Sequence, residues 1–374
     1  AAQGAWVTDI DGHRIIDYWQ GHYANILGHN PALITERLIQ SLEAGYGLQT
    51  GLLEEQEATY AALLAEATGT EQVRLTTSGT LATMYALMIA RAYTGRRVVV
   101  KIGGGWHGAN PLALKGVARH GASFDAVDSA GVSSTTDEEI IVTRFNDAEA
   151  LERLFALRGD RIAALIFEPC PSAAGFIPAS LEFMRTARHL TEQYGAVLVL
   201  DEVITGFRYC ASGVQRLYGV QADLSTFGKV IGGGMPIAAV AGRSDLMALI
   251  SEQASPRVWF NGGTYCAHPL SLTAGLCMLH YLIENEATLR QTQIFWWKRQ
   301  IHAESQFALD EATRTRLELK ASRRDASSLT PAAQEALPAK TASWRREIEL
   351  ESGQPAASLA ADGLRWPAAL THPW

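Results

Sequence analysis

Asp201 ends the apolar run Ala196-Val-Leu-Val-Leu200, and Lys229 sits among glycines in Phe227-Gly-Lys-Val-Ile-Gly-Gly-Gly234. An amine in a glycine-bounded backbone can approach a ligand closely and condense with an aldehyde. The run before Asp201 is partly β-branched and lacks polar alternation, which predicts a parallel strand buried on both faces. Its charged end then lies at a crevice, because open α/β sheets take ligands outside the carboxyl ends of their strands. A second such run, Ile162 to Phe167, ends in Glu168-Pro169. Between the two runs, Leu181, Met184, Ala187, Leu190 and Tyr194 share one helical face, so strand, helix and strand form a βαβ unit.

Two further segments carry chemistry. Thr76-Thr77-Ser78-Gly79-Thr80 precedes a helix marked by Leu81, Met84, Tyr85, Met88 and Ala92. Hydroxyls and a glycine at a helix start make an anion site, through free N–H groups and the helix dipole, but the same residues also serve as an ordinary N-cap. The strand Val98 to Lys101 runs into Gly103-Gly-Gly-Trp106-His107-Gly108, where the glycines allow a flat ring to be presented at a strand end. Trp106 then either stacks on a planar ligand or fills a core, and His107 is equally readable as a structural histidine.

The remaining chain must position these groups. Trp6 to Tyr18 alternates about Asp11-Gly12 as a hairpin does; Ala32–Leu42 and Glu54–Thr68 read as helices closed by Gly45 and Gly69. Gly116 to Thr136 reads as a long surface loop, a candidate lid. Pro236 to Gly242 reads as a strand leading away from the site. Beyond the loop Asn261-Gly-Gly-Thr264, Ala274, Cys277, Met278, Tyr281 and Leu282 mark another helix. From about Glu286 the composition changes: no valine follows Val258, and only Gly353 and Gly363 remain of 33 glycines. Charged helices over 314–324 and 344–350 and an irregular stretch over 352–374 are expected there, with Arg323-Arg324 and Arg345-Arg346 on solvated faces.

Composition excludes several classes. With 374 residues, 47% hydrophobic and 19% charged, the chain has room for a large globular domain and a smaller one. A net charge of -7 argues against a nucleic-acid partner. Four cysteines without a C-x-x-C pair indicate neither a disulfide framework nor a metal site, so a reduced cytoplasmic setting is the default. The start lacks the charged and apolar regions of a secretion signal, no run approaches the ~18 apolar residues of a membrane span, and without an initiator Met further residues are expected upstream. Walker, G-x-G-x-x-G and H-E-x-x-H patterns do not fit.

An acid at a strand end, a glycine-flanked lysine, a hydroxyl-rich helix start and a presented aromatic are what pyridoxal 5'-phosphate (PLP) needs for its ring nitrogen, aldehyde, phosphate and ring face. With these residues in view, the stretch Trp6 to Ile283 resembles the class III PLP-dependent aminotransferases, most closely the glutamate-1-semialdehyde 2,1-aminomutase branch. The motifs are Ser78-Gly-Thr-Leu-Ala-Thr-Met84, Trp106-His-Gly108, Asp201-Glu-Val-Ile-Thr-Gly-Phe-Arg208 and Gly228-Lys-Val-Ile-Gly-Gly-Gly-Met-Pro236, with Tyr218 to Asp223 and Gly263-Thr264 also matching.

The resemblance implies an α/β, fold-type I architecture with a mostly parallel seven-stranded sheet. It implies a small-domain segment at 1–45, a large PLP-binding domain at 46–285 and an atypical C-terminal segment at 286–374. It makes Lys229 the Schiff-base lysine and Asp201 the partner of the ring nitrogen. Val203 packs on one ring face and Trp106, where the family usually has Tyr, on the other. Ser78, Gly79 and Thr80 hold the phosphate, and His107 and Glu168 join the cofactor-binding residues. Thr264 reaches the phosphate in a neighbouring subunit, so a homodimer is implied.

Departures from the family pattern include Leu81 for Glu and Ala173 for the branch's Asn, with Ser172 as a substitute. His107-Gly108-Ala109-Asn110 lacks the branch's His-Ala-Asp continuation, and the C-terminal segment lacks the small domain's strands. These place amino transfer between an amine or amino acid and a carbonyl compound ahead of the aminomutase reaction. An inactive homologue retaining PLP is the third reading.

Overall fold

A computed structural model describes residues 1–289 apart from 50, 119–123, 128 and 288. The segment beyond 289, with its expected helices and irregular stretch, lies outside the described residues. At the N-terminus β1 (Ala2–Gln3), β2 (Trp6–Thr8) and β3 (Arg14–Ile16) form a small antiparallel sheet. The β2–β3 hairpin is the expected one, its turn held by Asp9 Oδ1, which accepts from the amides of Asp11 and His13. Helices α1 (Ala32–Glu43) and α2 (Glu55–Thr68) follow, and Gly69 closes α2 in the left-handed conformation at φ 67°.

The chain then builds a seven-stranded sheet from β4 (Gln72–Thr76), β5 (Val98–Ile102), β6 (Ile140–Thr143), β7 (Ile162–Phe167), β8 (Val197–Asp201), β9 (Leu224–Phe227) and β10 (Ala238–Gly242). The strand order is β4-β10-β9-β8-β7-β5-β6. Strands β9, β8, β7, β5 and β6 are parallel, and β10 runs antiparallel to both β9 and β4. Helices α3 (Gly79–Thr94), α4 (Ala148–Arg158), α5 (Leu181–Tyr194) and α6 (Pro269–Glu284) complete the frame.

Every residue of β5, β7 and β8 is buried, the reason their sequences, Lys101 and Asp201 apart, are apolar without alternation. Alternation survives in the way β10 divides its side chains: Ala238 and Val240 pack with α3 on one face, Ala239 and Ala241 with α2 and α6 on the other. Helix α5 has the expected boundaries, because Ser180 Oγ accepts from the Phe183 amide at 3.0 Å and Gly195 ends it at φ 64°.

The sequence reading missed β4, β6, β9 and α4. Strand β9 reads Leu-Ser-Thr-Phe, and its hydroxyls hide a buried strand. They are satisfied internally: Gln215 Nε2 donates to Ser225 Oγ at 2.8 Å, and Thr226 Oγ1 donates to Asp201 Oδ1 at 3.0 Å. The loop expected over 116–136 is corrected at its end, where Ser134–Glu139 is a short helix capped by Ser133 Oγ. Lys115 anchors this region through ion pairs to Asp125 at 3.0 Å and Asp137 at 2.6 Å. No described helix is long and apolar enough to cross a membrane.

The sheet order decides where the chemistry lies. Strands β9, β8, β7 and β5 are neighbours and run the same way, so their carboxyl ends form one edge. Lys229 follows β9, Asp201 ends β8, Glu168 follows β7, and the glycine segment with Trp106 and His107 follows β5.

Candidate active site

A cavity of about 410 Å³ opens at this edge. Asp201, Glu168, Lys229, Trp106 and His107 line it, together with Val203 and the helix start Ser78, Gly79 and Thr80. The sequence-predicted residues therefore converge, with the exception of Thr264. That residue is exposed, is not among the cavity-lining residues, and its carbonyl accepts from Gln49 Nε2 at 3.3 Å.

Asp201 is 3% exposed and held on both oxygens. Oδ1 accepts from the Val203 amide at 3.1 Å and from Thr226 Oγ1 at 3.0 Å, while Oδ2 lies 2.8 Å from His107 Nδ1. His107 is 1% exposed, and its carbonyl accepts from Thr83 Oγ1 at 2.6 Å. Burial holds the imidazole below its usual range despite the Asp201 carboxylate, and the Lys101 charge pushes the same way. A neutral ring facing a carboxylate carries its proton on Nδ1, so His107 donates to Asp201. His107 is thus a support for the acid.

Lys229 lies in a tight turn at φ 49°, in the left-handed region. Burial depresses its ammonium, opposed by the charges of Asp201 and Glu168 and reinforced by Arg208. A depressed pKa raises the fraction of neutral amine, the form that attacks a carbonyl.

Glu168 Oε1 accepts from the Trp106 amide at 2.8 Å and Oε2 from the Ser172 amide at 3.4 Å. Burial, with the Asp201 charge beside it, pushes this carboxyl well above the usual range, against the pull of those two amides. The folded state therefore retains a proton that the unfolded chain releases above pH 4.5. In the cofactor-free protein, stability should fall as pH rises from there through the neutral range, by about 1.4 kcal/mol per unit of raised pKa. Glu168→Gln should flatten that slope; urea midpoints that shift with pH equally in both proteins would contradict it.

Ser78 caps α3, its Oγ accepting from the Leu81 amide at 3.4 Å. The N-cap reading holds, and the other N–H groups of the first turn have no acceptor within the helix. Two glycines make room around this helix start. A Cβ on Gly79 would lie 3.0 Å from both Val203 methyls, and one on Gly108, at φ 87°, would lie 2.4 Å from Thr80 Oγ1. Gly108→Ala should cost about 1–3 kcal/mol from the φ alone, plus displacement of Thr80. A lowered melting temperature and weakened phosphate binding would both register it. Trp106, 42% exposed and on the cavity wall, is not a core residue.

Several functional supports escaped the sequence reading. Thr226 and Thr83 bear on Asp201 and His107 across the fold, and no spacing reveals them. Glu202, fully buried, accepts from the amides of Val214 at 2.9 Å and Gln215 at 3.0 Å and is structural. Arg208, at the end of the Asp201 motif, donates to the Ile204 carbonyl at 2.9 Å, to Gln20 Oε1 at 3.1 Å and to the Tyr23 carbonyl. It thereby ties the turn after β8 to the N-terminal segment, which contributes Ala24 to the cavity.

The family model for class III aminotransferases matches residues 1–296. The chain belongs to the class III aminotransferases. A glutamate-1-semialdehyde 2,1-aminomutase of Caldivirga maquilingensis is 40% identical over 299 residues, covering 78% of this chain and 69% of that protein. An omega-transaminase from Sphaerobacter thermophilus superposes with a TM-score of 0.72 at 33% identity, covering 83% of this chain and 71% of that one. A transaminase solved with PLP bound gives 0.70 at 31% identity, covering 84% and 72%. The chain spans about two thirds of the length of the curated relatives it matches.

The fold-type I architecture is therefore that of PLP-dependent transaminases, and PLP is the cofactor of this class III chain. The residues present fit it. Two glycines clear the space beside Val203 and Thr80, an amine and a fixed carboxylate share the cavity, and a sixteen-residue helix begins there.

Proposed function

We propose that this class III chain moves an amino group between an amine or amino acid and a carbonyl compound, with Lys229 and Asp201 as its catalytic residues. The observation that carries the reading is the meeting of four neighbouring strand ends and the start of α3 in one cavity. When bound, PLP supplies an electron sink for a carbanion at the substrate. Lys229 Nζ would hold the cofactor covalently and, when free, would serve as the general base and acid that moves a proton at the substrate carbon. Asp201, oriented by His107, Thr226 and the Val203 amide, would hold a positive charge at the ring nitrogen. Val203 and Trp106 would cover the ring faces, Ser78, Gly79 and Thr80 would take the phosphate, and His107 and Glu168, also on the cavity wall, would complete the cofactor-binding set.

The aminomutase reaction is the second reading, favoured by the identity to the Caldivirga protein. Titration with a panel of amino donors separates the readings. Amino transfer converts the bound aldehyde form to the amine form with some donor. The aminomutase consumes glutamate semialdehyde without an added acceptor. Binding of PLP with neither reaction would overturn both and leave an inactive homologue.

The reading extends to a cytoplasmic homodimer in which Thr264 contacts the neighbouring subunit's phosphate. Exposure of Thr264 and its position outside its own chain's cavity support this. Within it, residues 1–45 belong to a small domain, 46–285 to the PLP-binding domain and 286–374 to a C-terminal segment.

A further inference from the structure

Lys101 stands in the strand just ahead of the loop that presents Trp106 and His107. It lies in β5 between Val100 and Ile102, both fully buried, and is itself 1% exposed. An apolar side chain would suit such a strand position, and burying an ammonium is costly unless its hydrogens are bonded. Its Nζ donates to the carbonyls of Gly105 at 3.0 Å, Ala113 at 2.8 Å and Lys115 at 2.8 Å. These acceptors come from both ends of the segment 105–115, so the chain after β5 folds back over the end of its own strand. Inside that fold lie Trp106, whose amide donates to Glu168, and His107, whose ring meets Asp201.

We propose that Lys101 is a positioning residue, its ammonium gathering the carbonyls of Gly105, Ala113 and Lys115 so that His107 is seated against Asp201 and Trp106 on the cavity wall. The inference rests on the reading of Asp201 as partner of the cofactor ring. Other contacts act on the same segment from outside, among them Thr83 Oγ1 on the His107 carbonyl and Thr80 Oγ1, which accepts from the Ala109 amide at 3.4 Å, while the Gly104 amide donates to the Gly116 carbonyl at 2.8 Å just beyond its ends. Lys101 is the anchor that joins the two ends of the segment through one atom. Its charge has a second consequence: a cation near His107 favours the neutral ring, which donates to Asp201 and leaves the carboxylate its negative charge.

The test compares Lys101→Met with Lys115→Met, since the Lys115 side chain pairs with Asp125 and Asp137 while only its carbonyl serves the clamp. In the cofactor-free protein the hydrogen-bonded Nδ1–H proton of His107 should give a low-field resonance that Lys101→Met abolishes and Lys115→Met keeps. PLP affinity should fall about 10- to 100-fold in Lys101→Met, the range for residues that orient a ligand from behind, and stay near wild type in Lys115→Met. A folded Lys101→Met protein with both the resonance and the affinity intact would overturn the proposal. Should it not fold, Lys101→Gln, which still donates to part of the carbonyl set, carries the same two measurements. Unfolding of both variants would assign Lys101 to stability alone and overturn the proposal equally. Failure of the underlying reading is distinguishable, because wild-type protein would then not bind PLP through Lys229.

Discussion

Lys229→Ala should abolish the absorption band of lysine-bound cofactor and slow amino transfer by about 10⁴-fold, the upper end of what a positioned general base contributes. The loss is large because Lys229 is the one amine among the cavity-lining residues, and no described neighbour can replace it. The melting temperature should hardly move, since Nζ takes part in no described hydrogen bond or ion pair. Stopped-flow spectra of the half-reaction with a reactive donor read the effect. Persistence of the band in the alanine variant would place the attachment elsewhere.

Asp201→Asn should be the second largest effect. Asparagine keeps the shape and one acceptor but gives up the charge that a cationic ring nitrogen needs. Removing one partner of a buried charge pair costs about 3–5 kcal/mol, which corresponds to roughly 10²–10⁴-fold in rate. A cofactor analogue methylated at the ring nitrogen, and so permanently cationic, should recover part of the loss. A variant within a few-fold of wild type, or one indifferent to the analogue, would remove Asp201 from the reaction.

Much of this was legible in the chain because the relevant signals are local. Val197 to Leu200 announces a strand buried on both faces, and a carboxylate ending it must then lie at the sheet edge. The glycines about Lys229 and the hydroxyls before α3 likewise mark local backbone needs. What escaped is set by packing between distant segments. Ser225 and Thr226 make β9 look like a loop until Gln215 and Asp201 are seen to satisfy them. Lys101 looks like a strand-end lysine until three carbonyls surround it. Gly108 stands in the sequence only as part of Trp106-His-Gly108, and its positive φ and the close approach of Thr80, which both require a glycine there, appear only in the fold. The helix at Ser134–Glu139 was hidden in a polar run because its stability lies in its cap and acidic first turn rather than in an apolar face.

The attachment of the cofactor at Lys229 is the central claim, and borohydride reduction of the PLP-loaded protein followed by peptide mass mapping tests it most directly. The phosphopyridoxyl group should be found on the peptide containing Lys229 and on no other lysine. Its recovery on a different residue, or no label on protein that has bound PLP, would contradict the account.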